Sequence, residues 1–414
     1  MATQITNRTL FTGDNLPVLR GMNNGSADLI YLDPPFNSNK HYSAPVGSEA
    51  AGASFKDAWT LNDEDEAWHA ALKSHQPKLY AIIASAGAVG GRGDKSYLIY
   101  MAIRILEMRR ILKDDGSIYL HVDPTMSHSL KLLMDAVFGT GNFRNEIVWH
   151  YYNKFGAGQR VFGRNYDQIF FYSKNKKAYR FNPLREERDK PVRQLVRENV
   201  DGVLKNKRGP DGKLVYRTVT DKKIDAVWRI PCVQPASKQY MGYPTQKPLA
   251  LLDRIVQASS NAGDTVLDPF CGCATTCVAA EILHRHWIGI DISPKALELV
   301  KTRMNREVLG EGKVFKGKII SRTDIPARTD IPRIKMSKPQ ITKLLYANQA
   351  GLCNGCEIHF PLQNFTHDHI VPTSHGGADV IENLQLLCGR CNSIKGNRTM
   401  EYLKARLREM GEIK

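Results

Sequence analysis

The sequence of 414 residues has little of what would place a protein in a membrane or outside the cell. No stretch approaches the roughly 20 continuous apolar residues that a membrane-spanning helix needs. Residues 1–8 also lack the apolar run of a secretory signal. We therefore expect a cytoplasmic protein that has no membrane partner.

Acidic residues are scarce relative to basic ones. The chain has 58 Lys and Arg against 42 Asp and Glu, which gives a formal net charge of +16. Such an excess favours a polyanionic partner. Nucleic acid fits best and predicts association with the nucleoid, whereas an acidic membrane surface is the weaker alternative. The charge does not separate DNA from RNA, although RNA is the less favoured of the two.

Cysteines are few, and only half of them follow a pattern. The patterned ones form two Cys-x-x-Cys pairs, Cys353 with Cys356 and Cys388 with Cys391. In a reducing compartment this spacing indicates metal binding before disulfide formation. Four thiolates are enough to complete a tetrahedral structural zinc site. For the others a packing role is the default: Cys232, Cys271, Cys273 and Cys277.

Helical and strand patterns alternate along most of the chain. The patterns predict helices at 16–22, 97–112, 129–138, 249–259 and 275–284, and strands at 28–32, 117–122, 147–152, 168–172, 265–267 and 287–290. Alternation of this kind predicts a mainly parallel α/β sheet. Segments 44–54 and 84–93 are rich in Ala, Gly and Ser, which predicts flexible loops beside a site.

Two segments depart from this alternation. Between residues 180 and 229 the periodicity fades and basic residues dominate, which predicts an inserted lobe, at about 178–235, that faces nucleic acid. Residues 313–340 form a basic segment in which 322–326 is repeated as 328–332. Its prolines and scattered charges predict a linker.

The tetrapeptide 33–36 follows the predicted strand 28–32 and has the groups needed to activate an amine. An exocyclic amine of a base is a poor nucleophile because its lone pair is delocalised into the ring. The Asp33 carboxylate could accept one N–H and the Pro34 carbonyl the other, while Phe36 stacks on a base that has left the duplex. Alone, such a tetrapeptide is more often an ordinary turn.

A second motif has the groups needed to bind a nucleotide-like cofactor. The segment from Asp268 through Phe270 to Gly272 lies between a predicted strand and a helix, where glycine lets the backbone approach a ligand. Asp291 ends the next strand at the spacing expected for a carboxylate that binds ribose hydroxyls. Asp14, in its own turn, could reach the adenine of such a cofactor. The combination of both motifs with the basic lobe makes coincidence a poor explanation.

On these motifs, residues 12–306 resemble the DNA amino-methyltransferases of the N6-adenine/N4-cytosine family. The order matches the permuted group, in which the catalytic motif precedes the recognition lobe and the cofactor motif follows it. Segments 11–19 and 243–249 also match. The resemblance implies a Rossmann-like fold, S-adenosylmethionine as cofactor with Thr245 and Lys247 near its amino-acid end, and a possible homodimer.

Two positions bear on the details of this resemblance. In the family, Asp at the first motif position, here Asp33, leans toward adenine N6, whereas Ser is more usual for cytosine N4. Cys273 stands where the family commonly has glycine.

The interval between the two cysteine pairs closely resembles the HNH endonuclease module, a small ββα unit that zinc stabilises. The resemblance implies that His369 activates water to attack phosphorus and that Asn383 orients it. Asp368 and Asn392 would hold a divalent ion such as Mg²⁺ on the scissile phosphate. His367 is favoured as a solvated or packing residue. The module could instead be a DNA-binding unit that does not cleave.

The sequence thus predicts a methyltransferase domain at 1–312, a linker at 313–340 and an HNH domain at 341–414. The predicted activity is methylation of adenine N6 at a flipped base in double-stranded DNA, with cleavage by the HNH unit, in a restriction-modification or phage-related system. One alternative is a methyltransferase for adenine N6 or cytosine N4 whose zinc domain only binds DNA. A non-enzymatic regulator is the other.

Overall fold

The structure is a computed structural model, which describes residues 5–38, 40–45, 47–57, 59, 69, 72–73, 76–154, 160–308, 315–330, 336–377 and 379–413. The strands are β1 (Thr9–Thr12), β2 (Ala27–Leu32), β3 (Lys40–Ser43), β4 (Ser54–Asp57), β5 (Leu112–Val122), β6 (Phe143–His150), β7 (Tyr166–Ser173), β8 (Arg185–Leu195), β9 (Arg197–Val200), β10 (Val203–Asn206), β11 (Tyr216–Lys223), β12 (Val227–Arg229), β13 (Thr265–Asp268), β14 (His286–Asp291), β15 (Ile320–Arg322), β16 (Phe365–His369) and β17 (Leu384–Cys388). The helices are α1 (Asn15–Gly21), α2 (Pro77–Gly90), α3 (Arg92–Ile111), α4 (Ser127–Phe138), α5 (Leu249–Ser259), α6 (Thr275–Ile282), α7 (Ala296–Arg303), α8 (Lys338–Asn348), α9 (Gly389–Lys395) and α10 (Met400–Glu409).

A nine-stranded sheet organises the larger part of the chain, in the order β12-β6-β7-β5-β2-β13-β14-β1-β15. Strand β7 runs antiparallel to both of its neighbours, and the other pairings are parallel. The predicted α/β fold is therefore confirmed. Strand β2 is buried along its whole length, so its alternate side chains enter two different cores. Helices α1 to α4 cover one face, and α5, α6 and α7 cover the other.

Three neighbouring parallel strands end in carboxylates at one edge of this sheet. Asp33 follows β2, Asp268 ends β13 and Asp291 ends β14. The carboxyl ends of parallel strands meet at the same edge, which is where ligands bind in open α/β sheets. Because β7 is antiparallel to β5, its first residues also lie at this edge, together with the last residues of β6. The topology therefore gathers both sequence motifs at one place.

The prediction of a loop at 84–93 was wrong. Most of this segment is helical, within α2 and the start of α3, and Gly91, at φ +91°, separates the two helices. Alanine is the strongest helix former, so an Ala-rich stretch forms a helix once one face can be buried. Leu79 and Ile83 of α2 provide that buried face. By contrast, residues 47–52, between β3 and β4, form turns, in line with the prediction of a loop there.

The predicted linker 313–340 contains structure that its composition did not indicate. Residues of β15 pair in parallel with β1 and extend the main sheet. In the repeated segment, Arg322 pairs with Asp324, and Arg328 pairs with Asp330 in the same way. Helix α8 begins at Lys338, inside the same range. The prediction of a continuous linker therefore needs correction, since the edge of the sheet offers unpaired backbone groups that a basic strand can satisfy.

The basic lobe is more regular than the fading periodicity suggested. Strands β8 and β11 form one antiparallel pair, and β9 and β10 form another. Their side chains are largely exposed, which explains why no apolar alternation marks them in the sequence. Strand β12 then returns to the edge of the main sheet beside β6.

The C-terminal unit has a small core of its own. The antiparallel pair β16 and β17 is followed by α9, which gives a ββα arrangement, and α8 and α10 pack beside it. Buried cysteines form the core together with Leu387, Leu403 and Leu407. Among the described residues of the whole chain, none of the helices is both long and apolar enough to cross a membrane.

Candidate active site

Asp33 lines a cavity and has one carboxylate oxygen in an ion pair and the other without a hydrogen-bond partner among the described residues. Its Oδ2 forms an ion pair with the Lys247 ammonium group, which also donates to the Thr245 carbonyl oxygen at 3.2 Å. Its Oδ1 is buried and has no hydrogen-bond partner among the described residues. A buried carboxylate oxygen without a partner is costly. The site therefore offers a vacant acceptor for an N–H donor.

The cavity has a volume of about 710 Å³ and joins the two sequence motifs. Every residue that the sequence analysis assigned to methyl transfer or to the cofactor lines it: Asp14, Asp33, Pro34, Phe36, Thr245, Lys247, Asp268, Phe270, Gly272 and Asp291. Cavities of 300–1,000 Å³ are typical for ligands of cofactor size. S-adenosylmethionine, the cofactor that the resemblance implies, would therefore fit here, next to residues 33–36.

The cofactor loop requires glycine at position 272. Gly272 has φ +50°, and a Cβ atom there would lie 2.9 Å from the ring of Tyr243. The Gly272 N–H donates to Asp291 Oδ2 at 2.7 Å, and the Ser293 N–H donates to Oδ1 at 2.8 Å. Burial raises the pKa of Asp291 above its usual value. The two backbone hydrogen bonds fix the orientation of this carboxylate at the strand end.

Asp268 carries the largest resolved carboxyl perturbation at this edge. Burial raises its pKa to about 7, against the opposing effect of hydrogen bonds from Thr276 and from the Phe270 N–H. The nearby carboxylates of Asp33 and Asp291 contribute to this rise. Perturbed carboxyl groups of this kind cluster at functional sites.

Asp14 is held by contacts that the sequence did not reveal. Its Oδ1 accepts the Leu16 N–H at 3.1 Å and caps α1. Arg104, from α3, donates to Asp14 Oδ1 and to Asn15 Oδ1 at 2.7 Å each, and Asn15 Nδ2 donates to the Pro269 carbonyl at 2.7 Å. The start of α1 is therefore tied to the cofactor loop. The sequence signal for these contacts was Arg104, an arginine within an otherwise apolar helical face.

A chain of buried polar groups lies beneath Phe36. Tyr31 Oη is 2.8 Å from His121 Nδ1, and His121 Nε2 is 3.0 Å from Asp167 Oδ2. The Phe36 ring stacks on the His121 imidazole at 6.0 Å between centroids and 28° between planes. Burial opposes ionisation of Asp167, but the hydrogen bond and charge of His121 outweigh it and lower the pKa of Asp167. An ionised Asp167 is an acceptor for an N–H at His121 Nε2.

These hydrogen-bonded polar groups could not be predicted from the sequence because they are far apart along it. Tyr31, His121 and Asp167 belong to three adjacent strands, β2, β5 and β7. The one local signal was a histidine inside the apolar run that forms β5, where His121 is fully buried. The chain sets the surface on which Phe36 rests.

The cysteine that replaces the family's usual glycine is accommodated without strain. Cys273 lies outside the left-handed backbone region, and its side chain packs with Ala50, Met241 and Leu299. Its carbonyl accepts a hydrogen bond of 3.1 Å from Arg303, which is fully buried. Cys271 and Cys277 are buried as well, in line with packing roles.

The four patterned cysteines of the C-terminal unit come together. Their sulfur atoms all lie within 4.8 Å of one another, and all four residues, Cys353, Cys356, Cys388 and Cys391, are buried. The Cys388 N–H points to the Cys353 sulfur at 3.2 Å. A tetrahedral zinc ion with bonds of about 2.3 Å fits such a cluster. These residues would hold a structural zinc ion that joins the two Cys-x-x-Cys loops.

The predicted nuclease residues surround the end of the β16–β17 hairpin. His369 ends β16 with about a third of its side chain exposed, and its Nε2 is 3.2 Å from Asp379 Oδ1. Asn383 accepts the Val371 N–H at 2.9 Å and donates to the Val371 carbonyl at 3.0 Å, so it braces the loop that follows His369. Asn392 lies half-buried on α9, which packs against β16.

Asp368 is a predicted metal ligand, but both of its carboxylate oxygens already have partners in the protein. Lys395, which is buried, donates to Oδ1 at 3.2 Å and pairs with Oδ2 at 3.0 Å. Gln385 also donates to Oδ2, at 2.8 Å. His367, favoured as a solvated or packing residue, is half-buried and lies 2.7 Å from the Thr342 hydroxyl. A divalent ion at Asp368 would have to compete with the Lys395 ammonium group.

Two family models match the protein, one in each of its two parts. Residues 27–302 match a family model described as DNA methylase, of N6/N4 type, and residues 353–398 match one described as HNH endonuclease. The chain is 28% identical to the type II methyltransferase M.EcaI of Enterobacter cloacae, over 79% of this chain and 74% of that protein. It is 27% identical to the DNA adenine methyltransferase YhdJ of Escherichia coli, over 72% of this chain and 83% of that protein.

Among solved structures, the M1.HpyAVI–SAM complex aligns with 16% identity and a TM-score of 0.41, over 72% of this chain and 98% of that one. The DNA methylase match covers more than half of the sequence. The chain therefore belongs to the N6/N4 DNA methylase family and carries a C-terminal HNH domain.

Proposed function

We propose that this protein transfers a methyl group from S-adenosylmethionine to the N6 atom of adenine in double-stranded DNA, and that its HNH domain cleaves DNA with a divalent ion. The observation that carries the first part is the vacant, buried Asp33 Oδ1 in the cavity shared by the two motifs. Such an acceptor suits an amino group.

The chain's own groups account for activation of the amine. Lys247 holds one oxygen of Asp33, so the other is directed at the N–H of the target amine. The Pro34 carbonyl accepts the second N–H, and together they localise the nitrogen lone pair and stabilise the charge that develops on nitrogen. Asp33 Oδ1 is the nearest acceptor for the proton that nitrogen then loses. Phe36, held on His121, provides the stacking face for a flipped base.

The cofactor fits the remainder of the cavity. S-adenosylmethionine, when bound, supplies an electrophilic methyl group. We expect Asp291 to bind its ribose hydroxyls, Asp14 its adenine and Thr245 its amino-acid end. Lys247, also expected at the amino-acid end, has its ammonium group on Asp33 before the cofactor binds. Gly272 lets the backbone approach closely, and the Asp268–Phe270 turn forms the wall beside it.

Adenine is favoured over cytosine for two reasons. The catalytic motif begins with Asp33, the residue that leans toward adenine in this family. The relative YhdJ, which aligns with 72% of the chain, is described as an adenine methyltransferase. The order of the motifs, with Asp33 before the lobe and Asp268 after it, supports the permuted type, whose members often form homodimers.

The lobe at about 178–235 is proposed to recognise the DNA sequence. It exposes arginines and lysines beside apolar side chains, as in Arg193, whose guanidinium lies 4.7 Å from the centre of the Tyr216 ring. Basic groups bind phosphates, and the side chains between them are available to base edges.

In the HNH domain, His369 would act as the general base, with Asn383 holding its loop. Asp368 and Asn392 would bind Mg²⁺ on the scissile phosphate. A single chain would then modify and cut DNA, as in a restriction-modification or phage-related system.

A second candidate is a zinc domain that binds DNA without cleaving it. The specific observation in its favour is that Lys395 and Gln385 already engage both oxygens of Asp368. The linker's contact with the main sheet through β15 would then hold this domain as a clamp.

Two experiments test the proposal. Purified protein is incubated with unmethylated duplex DNA and labelled S-adenosylmethionine, and methyl incorporation is expected only when Asp33 is intact. The same DNA is then incubated with Mg²⁺, with and without S-adenosylmethionine, and cleavage is expected to disappear in His369→Ala. Methylation without any His369-dependent cleavage would select the second candidate.

A further inference from the structure

The connection between β6 and β7 carries an apolar side chain that faces only water. Phe162 is 99% exposed, and its neighbour Val161 is 68% exposed. Arg160 and Arg164 flank them and are exposed as well. An isolated exposed aliphatic residue is ordinary, but an aromatic ring without packing contacts between two arginines is a combination that suits DNA.

The topology places this segment at the catalytic edge of the sheet. Strand β7 is antiparallel to β5, which is parallel to β2, so β7 begins at the edge where β2 ends in Asp33. Only β5 separates β7 from β2, which corresponds to about 10 Å between strand axes. Phe162 precedes β7 by four residues, a distance that an extended chain spans in about 13 Å. Phe162 is therefore within reach of DNA whose target base lies at Asp33.

The two ends of the connection are firmly held. The Tyr151 N–H donates to the Asn165 carbonyl at 2.9 Å, and the Tyr151 hydroxyl is 3.3 Å from Asp167 Oδ1. Asn153 exchanges hydrogen bonds of 2.9 Å with the backbone of Cys232, just after β12. Residues 160–164 therefore lead directly into residues that contact Tyr151 and Asp167, while Asn153, at the other end of the connection, is tied to the return from the lobe.

We propose that Phe162 inserts into the DNA stack at the position that the flipped base leaves, while Arg160 and Arg164 bind the flanking phosphates. Extruding a base exposes the faces of its two neighbours, and an apolar side chain can cover them. The charge of the two arginines complements the phosphate backbone. This inference rests on the proposed methylation of a flipped base, and it assigns to Phe162 a role in extruding the base and none in the chemistry.

The test first maps a methylated site by sequencing DNA modified by the wild-type protein. Two duplexes with this site are then compared, one fully paired and one with an abasic position opposite the target, which removes the pairing that opposes extrusion. Phe162→Ala is expected to lower kcat/KM at least about tenfold on the paired duplex and to match wild type within about twofold on the other. Phe162→Leu should retain most of the activity.

A second readout separates extrusion from chemistry. With 2-aminopurine at the target position, the wild-type protein should raise fluorescence on binding, and Phe162→Ala should lose most of that rise. Val89→Ala, a matched change at a 93% exposed apolar residue of α2, should behave as wild type in both assays.

The outcomes are distinct. Equal loss on both duplexes, or no loss on either, would overturn the role of Phe162. No methylation and no fluorescence change with the wild-type protein would instead refute the proposed function itself.

Discussion

The two sites of this protein each centre on an aspartate that is paired with a buried lysine, yet the two carboxylates differ in what is left open. At Asp33, Lys247 binds one oxygen and the other has no partner among the described residues. At Asp368, Lys395 and Gln385 together engage both oxygens. The first site is therefore prepared to accept an N–H without rearrangement, whereas the second needs a stronger cation to displace a lysine.

Removing the zinc ligands should produce the largest effect, and only the site in the C-terminal unit should be lost. We expect Cys353→Ser with Cys388→Ser to unfold the C-terminal unit, because structural zinc contributes about 10 kcal/mol to the folding of such small domains. Zinc content and limited proteolysis would measure the loss. Methyl transfer should persist, since the nine-stranded sheet has its own cores. Loss of both activities in parallel would show that the two sites are not independent.

Asp33→Ala should reduce methyl transfer by about 10³-fold or more, because it removes the acceptor that localises the amine lone pair. Binding of S-adenosylmethionine, measured by calorimetry, should change little. The matched control is Asp368→Ala, which removes the other lysine-paired carboxylate and should leave methyl transfer unchanged. A methyltransferase that remains active in Asp33→Ala would refute the assignment of this residue.

Asp268 is a buried carboxyl group whose hydrogen-bond donors, Thr276 and Phe270, are uncharged, so its pKa should affect stability. Its pKa of about 7 in the folded protein lies above the value near 4 of the unfolded chain, so folding favours the protonated form. This contribution is fully present below pH 4 and is lost as the pH rises toward 7, by about 4 kcal/mol at most. The unfolding free energy of wild type relative to Asp268→Asn, measured by urea titration, should therefore fall as the pH is raised from about 4 to about 7. A difference that is constant with pH would contradict the protonation of Asp268.

Lys395→Met should give the smallest effect. It tests whether the lysine paired with Asp368 is what distinguishes this carboxylate from Asp33. Removing the ammonium group frees Asp368 for a divalent ion, so we expect roughly tenfold less Mg²⁺ to be needed for half-maximal cleavage. The measurement is cleavage rate against Mg²⁺ concentration. Unchanged Mg²⁺ dependence would indicate that the lysine does not compete with the ion.

The sequence predicted which residues come together better than it predicted the elements between them. Asp33, Gly272 and Asp291 could be placed because each ends a strand or opens a turn, and parallel strands bring such positions to one edge. Cys353, Cys356, Cys388 and Cys391 could be grouped by spacing alone. Each of these signals lies within a few neighbouring residues, and the local backbone geometry determines where those residues are placed.

The contacts that join distant segments could not be predicted. Tyr31, His121 and Asp167 meet only because β7 reverses direction beside β5, and no local pattern encodes that pairing. Lys247 was expected near the cofactor's amino-acid end, yet the structure places its ammonium group on Asp33. The helix at 84–90 was missed because Ala-rich composition serves loops and helices alike until a buried face is known.

The proposed role of Asp33 is to activate an amino group of adenine in DNA. To test it, DNA is incubated with the protein and S-adenosylmethionine, digested to nucleosides and analysed by mass spectrometry. We expect N6-methyladenine with wild type and none with Asp33→Ala. Appearance of N4-methylcytosine alone, or of no methylated nucleoside, would contradict it.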